Sequence, residues 1–171
     1  MGMFMASVAF RPEPQRDWAV IKPQIESMYK GLEGLTDNLD SNGPGYAIVS
    51  PYGDMGMLLA ELPGKISALT GGWAVFATCC DSDFAMLELY HNGKLVDKCV
   101  IGELYEEFAE FEEASAPNLE IWTQLLPEGA SQELLKAAFT MNGWDATGNL
   151  QMLSKATQLP IFDDRLVFGL D

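Results

Sequence analysis

The pattern of apolar and polar positions along the chain identifies the stretch 72–102 as the centre of the predicted fold. Residues 73–78 are apolar at odd and even positions alike, which predicts a strand covered on both faces. After a polar interruption at 81–83, alternation resumes over 84–90 with its odd-numbered positions on the inner face. The Asn92-Gly93 pair that follows suits a type I′ turn, because both residues tolerate positive φ. We therefore expect three consecutive strands, the last two joined by a tight hairpin.

The chain before this stretch alternates between strand and helix patterns. Residues 3–10 predict a strand, and apolar residues at spacings of three and four from Trp18 to Leu32 predict an amphipathic helix. Pro23 lies inside that pattern and either kinks the helix or marks its first turn. Three further elements follow: a loop, a short strand, and either two short helices or one broken helix, over residues 36–45, 46–50 and 55–69.

Helical spacing dominates after residue 102. The run 103–113 places Leu104, Phe108 and Phe111 on one face and glutamates on the other. Three more helices are expected, together with a last segment that forms a short strand or only docks, over residues 118–126, 131–141, 148–158 and 165–170.

These patterns predict an α+β fold in a single globular domain, 1–171. The sheet-forming part, 1–102, has the chain order β-α-β-α-β-β-β and is expected to build one central mixed sheet of about five strands, with 73–78 near its middle. The mainly helical part, 103–171, is expected to cover a face or an end of that sheet.

Composition and charge narrow the functional classes. The 171 residues carry a formal net charge of −15, from 25 acidic and 10 basic residues. This balance argues against binding nucleic acid through its phosphates and permits a basic protein partner. No apolar run is long enough for a membrane helix, and the apolar start lacks the basic region of a signal peptide. Three cysteines, two of them adjacent in a predicted strand, do not form a disulfide framework, so we expect a cytoplasmic protein with reduced thiols.

Asp81 and Asp83, which flank Ser82, form the most unusual polar insertion between apolar segments. In an extended chain their carboxylates share a face, as a metal pair or a general acid and base would require, with Glu88 as a further candidate. The alternative is a polar turn whose aspartates bond to backbone N–H groups. The sequence favours the turn, because it offers no second cluster of metal ligands.

Cysteine and histidine chemistry is poorly supported. Cys79 and Cys80 cannot point to the same side of a strand, and the single histidine, His91, lies at the distal hairpin turn. A Cys–His nucleophilic pair is therefore awkward, and we interpret the cysteines as small buried hydrophobes. A lone histidine does not make a zinc site, and the common nucleotide and hydrolase motifs are missing from the sequence, so no cofactor is predicted.

The acidic face of 103–113 is the candidate partner-binding site. It is formed by Glu103, Glu106, Glu107, Glu110 and Glu113. A docking face for a basic protein is one interpretation, and a solvated helix face is the other. The region 103–145 holds ten acidic residues against one base, Lys136, which would speed association with a cationic surface.

Together these observations favour a non-enzymatic protein-interaction module, immunity- or adaptor-like, that binds a basic partner. The alternative is a small metal- or ligand-binding domain, or a hydrolase-like enzyme, using Asp81 and Asp83. A third hypothesis is a subunit that hides an apolar face by forming a homo-oligomer. The pattern loosely resembles small acidic bacterial proteins, some of them immunity proteins of toxin systems, but no motif allows functional residues to be carried over. Neither a nucleic acid nor a membrane is expected as a partner.

Overall fold

The computed structural model describes residues 3–53, 56–102, 116–140 and 145–170. Within these ranges the strands are β1 Met5–Arg11, β2 Thr36–Asp37, β3 Tyr46–Ser50, β4 Trp73–Cys80, β5 Phe84–His91 and β6 Lys94–Gly102. The helices are α1 Trp18–Met28, α2 Gly56–Leu59, α3 Leu62–Thr70, α4 Leu119–Thr123, α5 Gln132–Thr140, α6 Ala146–Thr157 and α7 Asp164–Phe168. The fold is thus α+β, as the sequence predicts.

One sheet joins the six strands in the order β2-β3-β1-β4-β5-β6, and every neighbouring pair is antiparallel. The prediction of a mixed sheet is therefore wrong. Strands β3 and β4 do run in the same direction across their helical connection, but β1 is inserted between them, so they never pair. The sheet also has one strand more than the prediction, because β2 lies in the segment expected to be a loop. The position of β4 near the middle of the sheet is confirmed.

The central hairpin forms as its sequence predicts. His91 pairs with Lys94, and the two residues between them have positive φ, 48° at Asn92 and 83° at Gly93. These values fit a type I′ turn. A Cβ on Gly93 would lie 3.0 Å from the Cβ of Ala68 on α3. The packing of the turn against α3 therefore also requires a residue without a side chain at this position.

Helices cover both faces of the sheet, which explains why β4 is apolar on both sides. On one side, the α1/α3 face, Ile25 and Ile66 pack with Val8 and Phe76. The opposite side, the α4–α7 face, buries a larger cluster that includes Val75, Leu87, Leu89, Trp122, Leu150, Leu153 and Ile161. The expectation that C-terminal helices cover a face of the sheet is confirmed.

Local signals placed most helices within a few residues. α1 begins at Trp18, capped by the Asp17 carboxylate that accepts from Ala19 N at 3.0 Å, so Pro23 lies in the helix interior. The stretch around Pro63 forms two short helices, with the proline in the first turn of α3. Residues 165–170 fall largely in helix α7 rather than in a strand, and Asp163 caps that helix. The predicted helix 103–113 lies outside the described residues.

Candidate functional site

Asp81 and Asp83 lie on an exposed three-residue turn. Cys80 pairs with Phe84, so the chain reverses between them, and φ is positive at Asp81 (50°) and Ser82 (63°). The two aspartates are therefore not in extended backbone, and the shared-face spacing expected of a strand does not apply to them. Both side chains are exposed to solvent.

Ser82, between the two aspartates, makes the structural contacts of this turn. Its N–H donates to the carbonyl of Met3 at 3.1 Å, and its hydroxyl accepts from Met3 N at 2.8 Å. Its carbonyl accepts from Ala146 N, at the start of α6, at 2.7 Å. The turn thus anchors the entry to β1 and the start of α6. Among the described residues no group of three His, Cys, Asp or Glu side chains could hold a metal ion, and a catalytic or metal-binding function of the two aspartates stays a prediction.

The thiols are placed and protonated in a way that disfavours nucleophilic chemistry. Cys79 and Cys99 are buried on the α4–α7 face, whereas Cys80 is half-buried on the opposite face, and all three are free. Burial raises the pKa of Cys79 to about 12 and also raises the pKa values of Cys80 and Cys99. These groups are thiols at neutral pH rather than thiolates.

His91 lies at the other end of β4 from Cys80. It pairs with Trp73, and the imidazole stacks on the indole with ring centroids 4.0 Å apart. Seven residue steps along β4 separate Trp73 from Cys80, about 23 Å at the rise of a strand. The structure therefore does not bring Cys80 and His91 together.

An apolar cavity that the sequence did not predict lies between the α2 region and the sheet. Its volume is about 420 Å³, and it opens on the α1/α3 face. Most of its wall is apolar: Ala6, Phe76, Thr78, Cys80 and Met86 line it from the sheet, and Met57 and Ala60 line it from above. An apolar pocket of this size is typical of sites that bind a small molecule or an inserted side chain.

Among the residues that the structure describes, Glu88 and Lys98 are the charged side chains that line this cavity. Lys98 Nζ lies 3.8 Å from the Glu88 carboxylate, which also accepts a hydrogen bond from the Tyr90 hydroxyl at 2.7 Å. Burial, and then this bond to Glu88, raise the pKa of Tyr90. The Glu88 carboxylate thus has a cation and a hydrogen-bond donor within the protein. The rest of the cavity surface is available to contact apolar groups.

A second cavity, of about 800 Å³, adjoins the first at the ends of the strands. Its walls come from the entry to β1, from Thr36, from the turn after β3 and from the end of α7. Phe4 and Tyr52 line both cavities, so the two cavities meet at these residues.

Large apolar side chains stand exposed around the two cavities. Met57 is 90% exposed, Tyr52 78%, Phe168 55% and Phe4 51%. We refer to these four residues as the apolar surface. Scattered apolar residues are normal on proteins, but four large ones beside two cavities are typical of an interaction site.

Exposed acidic residues are frequent among the sequence neighbours of the cavity linings. Five exposed acidic residues each adjoin a cavity-lining residue in the chain: Glu33, Asp37, Glu61, Asp81 and Asp83. Lys98 is the one cationic side chain among the described residues that lines either cavity. The predicted partner-binding glutamates, Glu103 to Glu113, lie outside the described residues.

A third, wider groove of about 1000 Å³ runs between the loop before β3 and helices α6 and α7. Its strongest charged groups neutralise each other, because Arg165 pairs with Asp163 at 3.1 Å. The charged side chains that line this groove are Lys155, Asp163, Asp164 and Arg165, so it does not carry a charge of one sign.

One signal in the sequence could have indicated the apolar surface. Tyr52 stands between Pro51 and Gly53, in a turn where polar residues are usual. A large aromatic side chain at such a turn is poorly placed for a core and well placed for a partner. Phe4 and Met57 carry no comparable signal, because each lies within an apolar pattern that predicts burial.

Known proteins give no further identification. Comparisons with protein families, with curated proteins and with solved structures find no match to this chain. Within the described ranges, no helix combines the length and the apolarity needed to cross a bilayer.

Proposed function

We propose that the protein is a non-enzymatic interaction module that docks a basic segment of another protein on its apolar surface. The observation that carries this proposal is the exposure of Phe4, Tyr52, Met57 and Phe168 beside two adjoining cavities. Removing such side chains from water contributes about 25 cal/mol per Å² of apolar area. Aromatic and methionine side chains are also the types enriched at the centres of interfaces.

The charge around the surface favours a basic partner. Five exposed carboxylates adjoin the cavity linings, and the whole chain carries −15. This negative charge would steer a cationic segment and discriminate against acidic ones. Asp81 and Asp83, which flank the cavity-lining Ser82, would then contribute to this charge, which gives the unusual polar insertion a function without metal or proton transfer.

Free thiols support the accompanying proposal of a reducing, cytoplasmic location. All three cysteines are unpaired, and their raised pKa values leave them without the reactivity of catalytic thiols.

Labelled model peptides test the proposal. We would measure fluorescence anisotropy for an amphipathic Leu/Lys peptide, a matched Leu/Glu peptide and a Ser/Lys peptide that keeps the charge without the apolar face. The Leu/Lys peptide should bind best, and its affinity should fall as salt is added.

Matched variants locate the binding. Tyr52→Ser/Met57→Ser should weaken binding of the Leu/Lys peptide at least about tenfold. Val20→Ser/Leu95→Ser removes apolar side chains of 58% and 50% exposure elsewhere and should leave binding unchanged. Equal binding to both variants, or equal binding of the acidic peptide, would overturn the proposal.

Self-association is the competing use of the same surface. Sedimentation velocity at two protein concentrations distinguishes the two uses. A wild-type dimer that dissociates in Tyr52→Ser/Met57→Ser would assign the surface to a second copy of the chain and overturn the basic partner.

A further inference from the structure

We infer that the cavity between the α2 region and the sheet, which Thr78 and Met86 line, is a binding site for a small neutral molecule. The ligand has an apolar body about the size of one substituted aromatic ring and carries a single hydroxyl or similar hydrogen-bonding group. This inference does not depend on the docking of a protein partner, and the second cavity takes no part in it.

Strand pairing builds the floor of this cavity from two rows of side chains. Ala6, Thr78 and Met86 are opposite one another on β1, β4 and β5 and form the first row. Phe76 and Glu88 are opposite each other in the next row. All five residues line the cavity. Because Ala6 and Thr78 have short side chains, the floor is lower at the first row than beside the phenyl ring of Phe76.

The α2 region closes the cavity above that row. A Cβ built at Gly56, the first residue of α2, would lie 3.6 Å from the Cβ of Ala6, so the helix reaches van der Waals distance of the sheet there. Met57 and Ala60 border the cavity further along the chain. The enclosed volume of about 420 Å³ lies within the range of small-molecule sites. At about 30 Å³ for one water, this volume has room for a ligand with on the order of ten non-hydrogen atoms.

Thr78 supplies a hydrogen-bonding group to this apolar floor. In the described part of the chain its hydroxyl has no hydrogen-bond partner. The Glu88 carboxylate is a diagonal neighbour, and such neighbours on paired strands are about 7–8 Å apart, beyond the reach of a hydrogen bond. A hydroxyl both donates and accepts, so a polar group on the ligand would find a partner at Thr78. A ligand with one such group is therefore favoured over a pure hydrocarbon.

The charged residues of the lining favour a neutral ligand. Lys98 Nζ lies 3.8 Å from the Glu88 carboxylate, and the Tyr90 hydroxyl donates to the same carboxylate at 2.7 Å. One negative and one positive side chain thus compensate each other beside the cavity. A charged ligand would lose its hydration without gaining an unpaired counter-ion from the lining. An anion would also meet the net charge of −15.

A series of four ethyl-substituted benzenes tests the class of ligand. The compound para-ethylphenol has the apolar body and the single hydroxyl, and ethylbenzene lacks the hydroxyl. In para-ethylbenzoate the polar group is an anion, and in para-ethylbenzylammonium it is a cation. We expect para-ethylphenol to bind with a Kd on the order of 100 μM. It should bind about fivefold more tightly than ethylbenzene and at least about tenfold more tightly than either charged compound.

Methionine methyl groups report where the ligand binds. Met5, Met57 and Met86 line the cavity, whereas Met28 on α1 and Met152 on α6 do not. In NMR spectra of protein labelled at the methionine methyl carbons, para-ethylphenol should shift the resonances of the three lining residues and leave the other two unchanged. Absence of a shift at Met57 and Met86 in about 1 mM ligand, ten times the expected Kd, would overturn the inference. Equal shifts of all five resonances would do the same.

Thr78→Val tests the hydrogen bond within the site. Valine keeps the branched shape and the preference for a strand but removes the hydroxyl. The fivefold preference for para-ethylphenol over ethylbenzene should therefore fall to about equal affinity. Thr140→Val, on α5 and outside the cavity lining, is the matched control and should keep the preference. A preference that survives in Thr78→Val would overturn the assignment of the hydroxyl.

Salt dependence distinguishes this site from the docking of a basic segment. The affinity for para-ethylphenol should not change as salt is added, because the ligand is neutral, whereas the affinity for the Leu/Lys peptide should fall. Tightest binding of para-ethylbenzylammonium, weakened by salt, would overturn the neutral class of ligand and assign the cavity to a cation. Loss of peptide binding alone would leave the small-molecule site standing.

Discussion

Arg11 of β1 donates a hydrogen bond from Nη1 to the carbonyl oxygen of Thr157, the last residue of α6, at 3.2 Å. Its Nη2 donates to the carbonyl of Leu125, just beyond α4, at 2.6 Å. Carbonyl groups in the last turn of a helix have no donor within the helix. The guanidinium of Arg11 offers two donors in a fixed geometry, so it satisfies one carbonyl group of each segment at once. Burial lowers the pKa of the guanidinium, which nevertheless stays charged.

Removing this fork should destabilise the fold. Arg11→Met keeps the apolar stem of the side chain and leaves two carbonyls without donors, so the unfolding free energy should fall by about 2–3 kcal/mol. Urea denaturation measures the change. Lys30→Met removes a positive charge from an exposed site and should stay within about 0.5 kcal/mol of wild type. Equal losses in the two variants would show that charge, rather than the hydrogen bonds, is responsible.

Asp97 holds helix α4 against β6. Its Oδ2 accepts from Trp122 Nε1 at 2.7 Å and from Asn118 N at 2.9 Å, and Trp122 is fully buried. Asp97→Ala should leave the indole N–H unpaired and cost about 1–3 kcal/mol in thermal or urea unfolding. The matched variant Glu128→Ala removes an exposed carboxylate and should be nearly neutral. A neutral Asp97→Ala would contradict this assignment.

The buried thiols should make stability fall at alkaline pH. An unfolded thiol titrates near pH 8.5, whereas burial raises the pKa of Cys79 to about 12 and also raises that of Cys99. The folded state holds these protons more tightly, so their contribution is complete below about pH 8.5 and is lost as pH rises toward the folded pKa. Each thiol should reduce the unfolding free energy by about 1.4 kcal/mol per pH unit within that window.

Urea unfolding between pH 8 and 10 measures this slope. Cys79→Ala/Cys99→Ala should have a shallower decline than wild type, whatever its stability at pH 7. Cys80→Ala is the control, because its thiol is half-buried and should contribute less. Parallel slopes in wild type and the double variant would contradict the prediction.

The hairpin turn should not tolerate a side chain at Gly93. Its φ is 83°, and a Cβ there would crowd Ala68, so Gly93→Ala should cost about 1–2 kcal/mol. Lys94→Ala, at the next and exposed position, should change stability little. Thermal unfolding of the two variants checks the difference. Similar melting temperatures would show that the conformation of this turn does not limit the stability of the fold.

Divalent metal should not stabilise the turn that carries Asp81 and Asp83. Both carboxylates are exposed, and the described residues offer no third ligand beside them. We therefore expect that Mg²⁺, Mn²⁺ or Ca²⁺ at about 5 mM leaves the melting temperatures of wild type and Asp81→Ala/Asp83→Ala unchanged. This concentration is about three orders of magnitude above the Kd of a tight site. A rise in the melting temperature of wild type alone would support the metal-site hypothesis and count against a role of these two residues in partner binding.

Local chemistry made the central part of the fold predictable. Alternation and the Asn92-Gly93 pair are properties of short segments, so strands β4 to β6 and their hairpin follow from the sequence. Strand β2 was missed because two residues are too few to show a period. The segment after Asp163 was short and apolar, and only the cap distinguishes its helix from a strand.

Long-range placement was beyond the sequence. Strand order depends on where β1 is inserted, and nothing in residues 5–11 records that β3 and β4 flank it. The apolar surface could not be predicted for the same reason, since Phe4, Tyr52 and Phe168 are far apart in the sequence and come together only in the folded chain. Asp81 and Asp83 attracted attention because they are neighbours in sequence, whereas the serine between them makes the contacts.

The insertion of β1 between β3 and β4 has a consequence for biosynthesis. Met5–Arg11 leaves the ribosome before both its partners, Tyr46–Ser50 and Trp73–Cys80, which emerge much later. A nascent chain that stops before Trp73 would carry this strand with one side bare, a template for pairing with other chains. Translation speed through the α2–α3 segment would then set how long each new molecule stays exposed to aggregation.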